Sequence, residues 1–363
     1  MAQSYDGPVT QARAGTNKIS GLPTNRIDTS GAGPRAEPLD TLAQQATSVT
    51  SNQRMFQYRA FTKSVTNSVI YRLLSVEDSP LHDRYTLPFR CAEYIQQIGD
   101  KTRTIYCNCR WCWTCNRIRA AKLMKGYGPV IAAFPDAQFV TLTAQSVDRL
   151  ELKDGIEKRF KDLIEAFRLC NIRHRRHTGE NAPIRAIVKL EANYGARTDK
   201  FNVHFHAIID TLENAQSIRD QWMKRNNKVA NKTGSKKVSV FSAQDIRPCY
   251  DAQELFKYFI KLVTDKDVNP VGLDAFFVAV KDKRLLRTYG NVRKVSEDVD
   301  RTDAITIDWI EERFDTYLWQ TGMVRDWVSI NYGDLLSGFK ATEDEEYVIT
   351  HLKYPKKVKT KQK

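Results

Sequence analysis

The sequence has no long apolar run and no sign of a secretion signal. No stretch approaches the roughly 18 consecutive apolar residues that a membrane-spanning helix needs, and Met1 is followed by polar residues where a signal peptide would place basic residues and an apolar block. We therefore expect a cytoplasmic protein with no membrane partner. Histidine is also scarce, with six in 363 residues, so two that occur close together are more informative than usual.

Cysteine is scarce as well, but it is clustered. Of the seven cysteines, four fall in the nine residues from Cys107 to Cys115. Disulfides are disfavoured in the cytoplasm, so metal binding is the better interpretation of this cluster. Cys112 and Cys115 have the spacing of a zinc knuckle, and Cys107 is the natural third ligand. The fourth is either Cys91 or Cys109, and the segment therefore predicts a structural Zn²⁺ site.

Acidic residues are too few to balance the basic ones. The chain has 57 Lys and Arg against 43 Asp and Glu, a formal charge of +14. Such a surplus favours a polyanionic partner, with nucleic acid ahead of anionic membrane. Six of the positive charges lie in a basic tail at 352–363, which holds no acidic residue. Non-specific binding to a phosphate backbone would be enough to explain the charge of this tail.

Aromatic residues are almost missing from residues 1–52, which are rich in glycine and proline and predict a disordered leader.

Strand and helix patterns alternate after the cysteines. Gln138 to Thr143 is rich in β-branched residues and predicts a strand. Residues 184–193 and 201–210 predict two more strands, joined as an antiparallel hairpin by a short polar stretch.

Helical spacing follows the first of these strands, and the helix is predicted from five apolar residues on one face: Ile156, Phe160, Leu163, Ile164 and Phe167. We also expect a strand at 237–241, a helix at 252–263 and helical spacing through 305–335. The fold class predicted is α+β, with a central antiparallel β-sheet and flanking helices. Beyond the leader and before the tail, the predicted regions are a helical, cysteine-rich region at 53–135, a domain at 136–295 that holds the central sheet, and a helical C-terminal region at 296–351.

The second hairpin strand carries two histidines on one face. Side chains alternate along a strand, so His204 and His206 project together while Val203 and Phe205 point to the other face. Glu191 on the partner strand could lie beside them. Two imidazoles and a carboxylate with open positions suit Mn²⁺ or Mg²⁺ bound to a phosphate oxygen. The alternative is a strand that shows two histidines to solvent.

A tyrosine follows on a predicted helix. Glu254, Tyr258 and Lys261 are spaced i, i+4 and i+7 and share one stripe, next to Lys257. Nearby positive charge favours a phenolate, so Tyr258 is a candidate nucleophile. The alternative for this stripe is an ordinary solvated helix face.

Taken in chain order, these segments resemble the plasmid rolling-circle replication initiators of the HUH endonuclease superfamily. The resemblance is to the single-tyrosine class with an upstream cysteine-rich segment, and it covers roughly residues 91–290. Its specificity lies in the ordered set of motifs. The segments that carry it are Phe139-Val140-Thr141-Leu142-Thr143, Val203-His204-Phe205-His206-Ala207, Lys257-Tyr258-Phe259-Ile260-Lys261, and Cys107, Arg110, Cys112 and Cys115 with Cys91 upstream.

The resemblance implies an HUH endonuclease fold and a metal-dependent DNA nickase that acts at a plasmid double-strand origin, on single-stranded DNA. Tyr258 would form a 5′-phosphotyrosyl link and leave a 3′-OH primer, helped by Lys261 and Lys257, and Glu254 would activate water at termination. No phosphate-binding loop of the G-x-x-x-x-G-K-[ST] type occurs, so a host helicase would unwind the DNA and a host polymerase would extend the primer.

Two other functions remain open at this point. A transposase or a viral Rep would use the same nick-and-join chemistry. A zinc-stapled DNA-binding regulator would have no catalytic activity, and its histidines would be structural. Dependence on a divalent metal and formation of a covalent DNA adduct separate the enzymes from the regulator.

Overall fold

The structure is a computed structural model, and it describes residues 11–12, 51–98, 101–179, 182–235, 238–256, 268–295, 314–322 and 324–355. Nearly all of the predicted disordered leader and most of the basic tail lie outside these residues. Among the described residues, no helix combines the length and the apolar character that a membrane span requires.

The described chain contains both helices and strands, several of them in consecutive runs of one type, as is typical of an α+β fold. The strands are β1 Gln11–Ala12, β2 Tyr94–Ile98, β3 Lys101–Arg103, β4 Gln138–Thr143, β5 Val147–Asp148, β6 Ala186–Gly195, β7 Lys200–Ile209, β8 Asp245–Pro248, β9 Leu286–Tyr289, β10 Asp315–Gln320 and β11 Asp326–Ser329. The helices are α1 Ser51–Leu74, α2 His82–Tyr85, α3 Trp113–Ala132, α4 Leu152–Thr178, α5 Leu212–Asn226, α6 Lys228–Thr233, α7 Gln253–Phe256, α8 Pro270–Val280 and α9 Glu343–His351.

The described chain divides into two compact units. The first unit draws on residues 1–64, 91–106 and 309–342, and the second unit on residues 65–90, 107–308 and 343–363. Each unit has its own antiparallel sheet, which confirms the α+β class with antiparallel strands. The functional boundaries predicted from the sequence stay predictions.

The first unit is built on a sheet with the strand order β1-β3-β2-β10-β11. The Asp326 side chain is fully buried and accepts hydrogen bonds from the Ser337 hydroxyl at 2.8 Å and the Phe339 backbone N–H at 3.2 Å. The Trp327 indole donates to the Ala92 carbonyl at 2.7 Å. These buried polar groups are therefore hydrogen-bonded, as a stable interior requires.

The helical prediction for 305–335 is wrong over its described part, which holds β10 and β11 instead. Tyr317 and Trp319 are buried while Leu318 is 40% exposed, which is the period of two that a strand has. Phe314, which lies four residues before Leu318 and would share a helix face with it, is 48% exposed. The spacing of four between Phe314 and Leu318 therefore links two side chains that belong to no common core.

The second unit is built on a sheet with the strand order β8-β4-β7-β6-β9, in which β5 also pairs with β7. The predicted strand at Gln138–Thr143 is confirmed, and the predicted hairpin is β6 and β7. The strand predicted at 237–241 is wrong over its described residues, because the chain forms a 3₁₀ turn at Phe241–Ala243 and the strand β8 after it. Phe241 is 63% exposed, so it supplies no core face for a strand there.

Helices α4 and α5 cover one face of this sheet. The Phe205 ring on β7 lies 5.1 Å from the Phe160 ring on α4 and 5.7 Å from the Trp222 ring on α5, between ring centroids. The predicted helix is confirmed, but Ile164 is 43% exposed. At 100° per residue it falls some 80° round the helix from Ile156, on the edge of the apolar stripe. The helix ends at Gly179, whose φ of 72° favours glycine.

Candidate functional site

The side chains opposite α4 and α5 form three rows across the strands β4, β7 and β6. Pairing aligns Thr143, His204 and Glu191 in the first row and Thr141, His206 and Lys189 in the second. The third row is apolar and consists of Phe139, Ile208 and Ile187. The alternation predicted for the histidine strand is thus what the structure has: Phe205 faces the helices while both histidines face the other side.

His204, His206 and Glu191 come together at one point of this face. The His206 Nε2 atom lies 3.3 Å from Glu191 Oε2, and the His204 Nε2 atom lies 3.9 Å from Glu191 Oε1. The two imidazole rings are 4.8 Å apart between centroids and nearly perpendicular, at 87°. The side chains are 8%, 22% and 14% exposed for His204, His206 and Glu191, so the group is sheltered but reachable from solvent.

Both imidazoles are held by their second nitrogen. His204 Nδ1 lies 3.2 Å from the Asn202 carbonyl oxygen, and His206 Nδ1 lies 3.2 Å from the Thr141 hydroxyl. Outer partners of this kind fix the orientation of a metal-binding histidine and leave the other ring nitrogen for the metal. Thr141 was quoted only as part of the first motif of the resemblance, and its contact with His206 was not predicted, because the two residues are 65 positions apart in the chain.

The three side chains fit a divalent cation. Each offers one ligand atom, and these atoms all lie within 4.8 Å of one another. Two imidazole nitrogens and one carboxylate oxygen leave open positions for water or substrate oxygen, as in catalytic rather than structural sites. The group is therefore compatible with a metal.

Helix α7 lies on the same face of the sheet. Leu255 and Phe256 are buried in a core cluster with all three residues of the apolar row, Phe139, Ile187 and Ile208. The Phe256 ring stacks on the Tyr127 ring of α3, with centroids 6.1 Å apart and planes at 9°. Phe256 therefore lies against the third row of this face, and Glu191 lies in the first row.

The predicted nucleophile and its lysines fall just beyond this point. Tyr258, Lys257 and Lys261 lie outside the described residues, as does the rest of the helix predicted to 263. Glu254 belongs to α7 by its backbone. The structure thus brings together His204, His206 and Glu191, and it describes the helix that leads to Tyr258.

The cysteine segment forms a second group. The sulfur atoms of Cys91, Cys107, Cys112 and Cys115 all lie within 4.8 Å of one another. Tetrahedral ligands at a Zn–S distance of ~2.3 Å would be roughly 3.8 Å apart, and Cys107 Sγ lies 3.6 Å from Cys115 Sγ. The four sulfurs are therefore compatible with a metal in a closed site.

Local structure explains which cysteines take part. Cys112 caps the N-terminus of α3, and its sulfur accepts the backbone N–H of Cys115 at 3.4 Å. The Cys109 thiol instead donates to the Cys107 carbonyl at 3.6 Å and is not in the group of four. Of the two candidates for the fourth ligand, Cys91 is the one whose sulfur joins the others.

The loop between these cysteines is fastened to α8 by one arginine. The Arg110 guanidinium donates to the backbone carbonyls of Val280 and Lys283. Burial, together with the nearby Arg119, lowers the pKa of Arg110 below its usual value. The Trp111 ring adds an edge contact with Phe277 of α8 at 5.6 Å between centroids. The cysteine loop is thus packed as part of the second unit.

Comparisons of the chain with models of protein families, with curated proteins and with solved structures find no match. Function is therefore inferred from the two groups of side chains and from their positions in the fold.

Proposed function

We propose that the protein is a metal-dependent single-strand DNA nickase and strand transferase that initiates rolling-circle replication of a plasmid at its double-strand origin. The observation that carries the proposal is the position of His204, His206 and Glu191 on the central strands of the sheet, with α7 packed on the same face. The described part of α7 extends to Phe256, two residues before Tyr258 in the chain. A metal site and a nucleophile on one face are what phosphodiester transfer needs.

In the proposed reaction the Tyr258 phenol oxygen attacks the scissile phosphorus. A bond forms between that oxygen and the 5′-phosphate, the bond from phosphorus to the 3′ oxygen breaks, and the 3′-OH leaves with a proton. Lys261 and Lys257 favour the phenolate and offset charge on the phosphate. A divalent metal held by His204, His206 and Glu191 would polarise the phosphate oxygen. The free 3′-OH would prime a host polymerase behind a host helicase.

Glu254 would act at termination as the base that takes a proton from water, one helical turn before Tyr258. This role predicts that Glu254→Ala still nicks DNA but releases the covalent complex poorly. The measurement is the amount of adduct formed and its decay after excess unlabelled DNA is added. Equal loss of formation and release would show that Glu254 only supports the helix.

The decisive experiment traps the covalent intermediate. The full chain is incubated with Mn²⁺ or Mg²⁺ and a pool of short single-stranded oligonucleotides of randomised sequence, labelled at either end, and is then run on a denaturing gel. Because the protein stays on the 5′-phosphate of the downstream fragment, a 3′-end label should migrate with the protein and a 5′-end label should not. A chelator should abolish the adduct.

Two tyrosine variants give the controls. Tyr258→Phe should form no adduct, whereas Tyr250→Phe should behave as the wild type, because Tyr250 is 88% exposed and lies outside the sheet face described above. Adduct formation that survives Tyr258→Phe, or that never occurs with any metal, would contradict the proposed function.

A second candidate is the non-catalytic, zinc-stapled DNA-binding regulator, which the group of four sulfurs favours. It predicts DNA binding that depends on bound Zn²⁺, with no adduct under any condition. A transposase or viral Rep would give the same adduct, but purified protein would not support replication of a plasmid that carries the nicked sequence.

A further inference from the structure

Helices α4 and α5 run antiparallel on the face of the sheet away from the histidines. The Cys170 thiol of α4 donates to the Ser217 carbonyl of α5 at 3.3 Å, whereas Arg225, farther along α5, lies 3.5 Å from Asp162, farther back on α4. The outer surface between the two helices is a groove of about 550 Å³.

The groove is lined by matching stripes on its two walls. Leu169, Ile172, Arg173 and Arg176 of α4 are spaced i, i+3, i+4 and i+7, and this spacing places them on one helix face. Leu169 and Ile172 are half-buried, while Arg173 and Arg176 are exposed. The first wall therefore has an apolar base and a cationic rim.

The second wall repeats the spacing on α5 and the start of α6. Its lining residues are Gln221, Lys224, Arg225 and Lys228, again at i, i+3, i+4 and i+7. Lys224 and Lys228 are exposed. Arg225 is also engaged with Glu165, at 3.7 Å, so it contributes less free positive charge than its neighbours.

The composition of the groove points to the kind of ligand. Among the described residues that line it, none is acidic and none is Phe, Tyr or Trp. Proteins that hold single strands stack bases on aromatic rings, which this groove lacks. Cations on both rims of a groove instead suit phosphates. Contacts to phosphates do not read the DNA sequence, but they fix the position of a protein along a duplex.

We infer that this groove binds the phosphate backbone of duplex DNA beside the nicked strand. The inference rests on the proposed function, and it assigns a second DNA contact on the opposite side of the sheet from His204 and His206. Contacts there would hold the flanking duplex without touching the scissile phosphate. A short single strand would then be nicked equally well whether or not the groove is intact.

The test uses the full chain with Arg176→Gln/Lys224→Gln and a matched control, Lys153→Gln/Lys281→Gln. The control removes the same charge from exposed lysines of the second unit outside the groove. Affinity for a duplex of arbitrary sequence is measured by fluorescence anisotropy over a range of salt concentrations. Loss of two phosphate contacts should lower the salt slope by about 2 and weaken binding about 10- to 60-fold near 0.1 M salt.

The control should keep the wild-type slope, and the groove variant should form the Tyr258 adduct on short single strands at the wild-type rate. An unchanged slope in the groove variant, or equal weakening of single-strand and duplex binding, would overturn the inference while leaving the nickase proposal intact. A lowered slope without any adduct would support the groove and contradict the nickase. Absence of duplex binding by the wild type would contradict the inference directly.

Discussion

The two groups of candidate metal ligands differ in donor atoms, in number and in setting. His204, His206 and Glu191 offer three nitrogen and oxygen donors on neighbouring strands, and Glu191 and His206 keep some exposure. The cysteine group offers four sulfurs, at the start of a helix and with three of its members buried. Two imidazole nitrogens and one carboxylate oxygen on a rigid sheet leave room for a substrate, whereas four sulfurs complete a tetrahedron. The difference teaches that the first donor set fits the metal of the proposed reaction, whereas the second fits a metal that would stabilise the fold.

The largest effect is expected from the first group. His204→Ala should remove Mn²⁺ binding and reduce adduct formation about 10²- to 10³-fold, since a metal contributes several kcal/mol of charge stabilisation to a transferred phosphate. Metal affinity is measured by calorimetry and adduct formation by gel. His351→Ala, in α9, is the matched control and should change neither. Full activity of His204→Ala would contradict a catalytic role for the metal held by the first group.

A smaller effect of a different kind is expected from the second group. Cys112→Ser should release bound metal and lower the melting temperature by roughly 4–16 °C, because loss of a metal ligand costs about 2–4 kcal/mol and each kcal/mol shifts Tm by about 2–4 °C. Tm is followed by calorimetry and zinc by elemental analysis. Cys109→Ser, whose thiol is outside the group of four, should keep both metal and Tm. Undenatured wild type without zinc would contradict the assignment.

The smallest effect is expected from an outer partner. Thr141→Val keeps the shape of the side chain but removes the hydroxyl that lies 3.2 Å from His206 Nδ1. Loss of such a partner typically weakens metal binding about 10-fold or more. Calorimetry with Mn²⁺ should therefore show weaker binding at an unchanged Tm. Thr143→Val is the comparison variant, since Thr143 pairs with His204 in the row beyond; an equal loss in both would point to a general change of the sheet.

Sequence patterns predicted the parts of this fold that depend on local alternation. His204 and His206 share a face because side chains alternate along any strand, and Glu191 lies opposite His204 because a short turn fixes the hairpin register. The contact of Thr141 with His206 depends on pairing between β4 and β7, which are far apart in the chain. No local pattern carries that register.

The helical prediction for 305–335 failed because it relied on the spacing of apolar residues that are not buried in the structure. Phe314 and Leu318 have a helical separation, yet both are exposed around β10. The groove on α4 and α5 was not foreseen either. Arg173 and Arg176 of α4 share this groove with Lys224 and Lys228 only because α4 and α5 pack together, and the chain order does not show that packing.

Strand β7 is paired along its length with β6 and, over its second half, with β4. A shift of one residue would turn both imidazoles toward Trp222 and Phe205 toward the open face. Such a shift would break the pairing of β7 with both β6 and β4. Misaligned intermediates should therefore be rare during folding. Because β7 is paired on both sides, insertions within it should be tolerated far less than insertions in the 196–199 turn, which would leave the pairing with β6 and β4 in place.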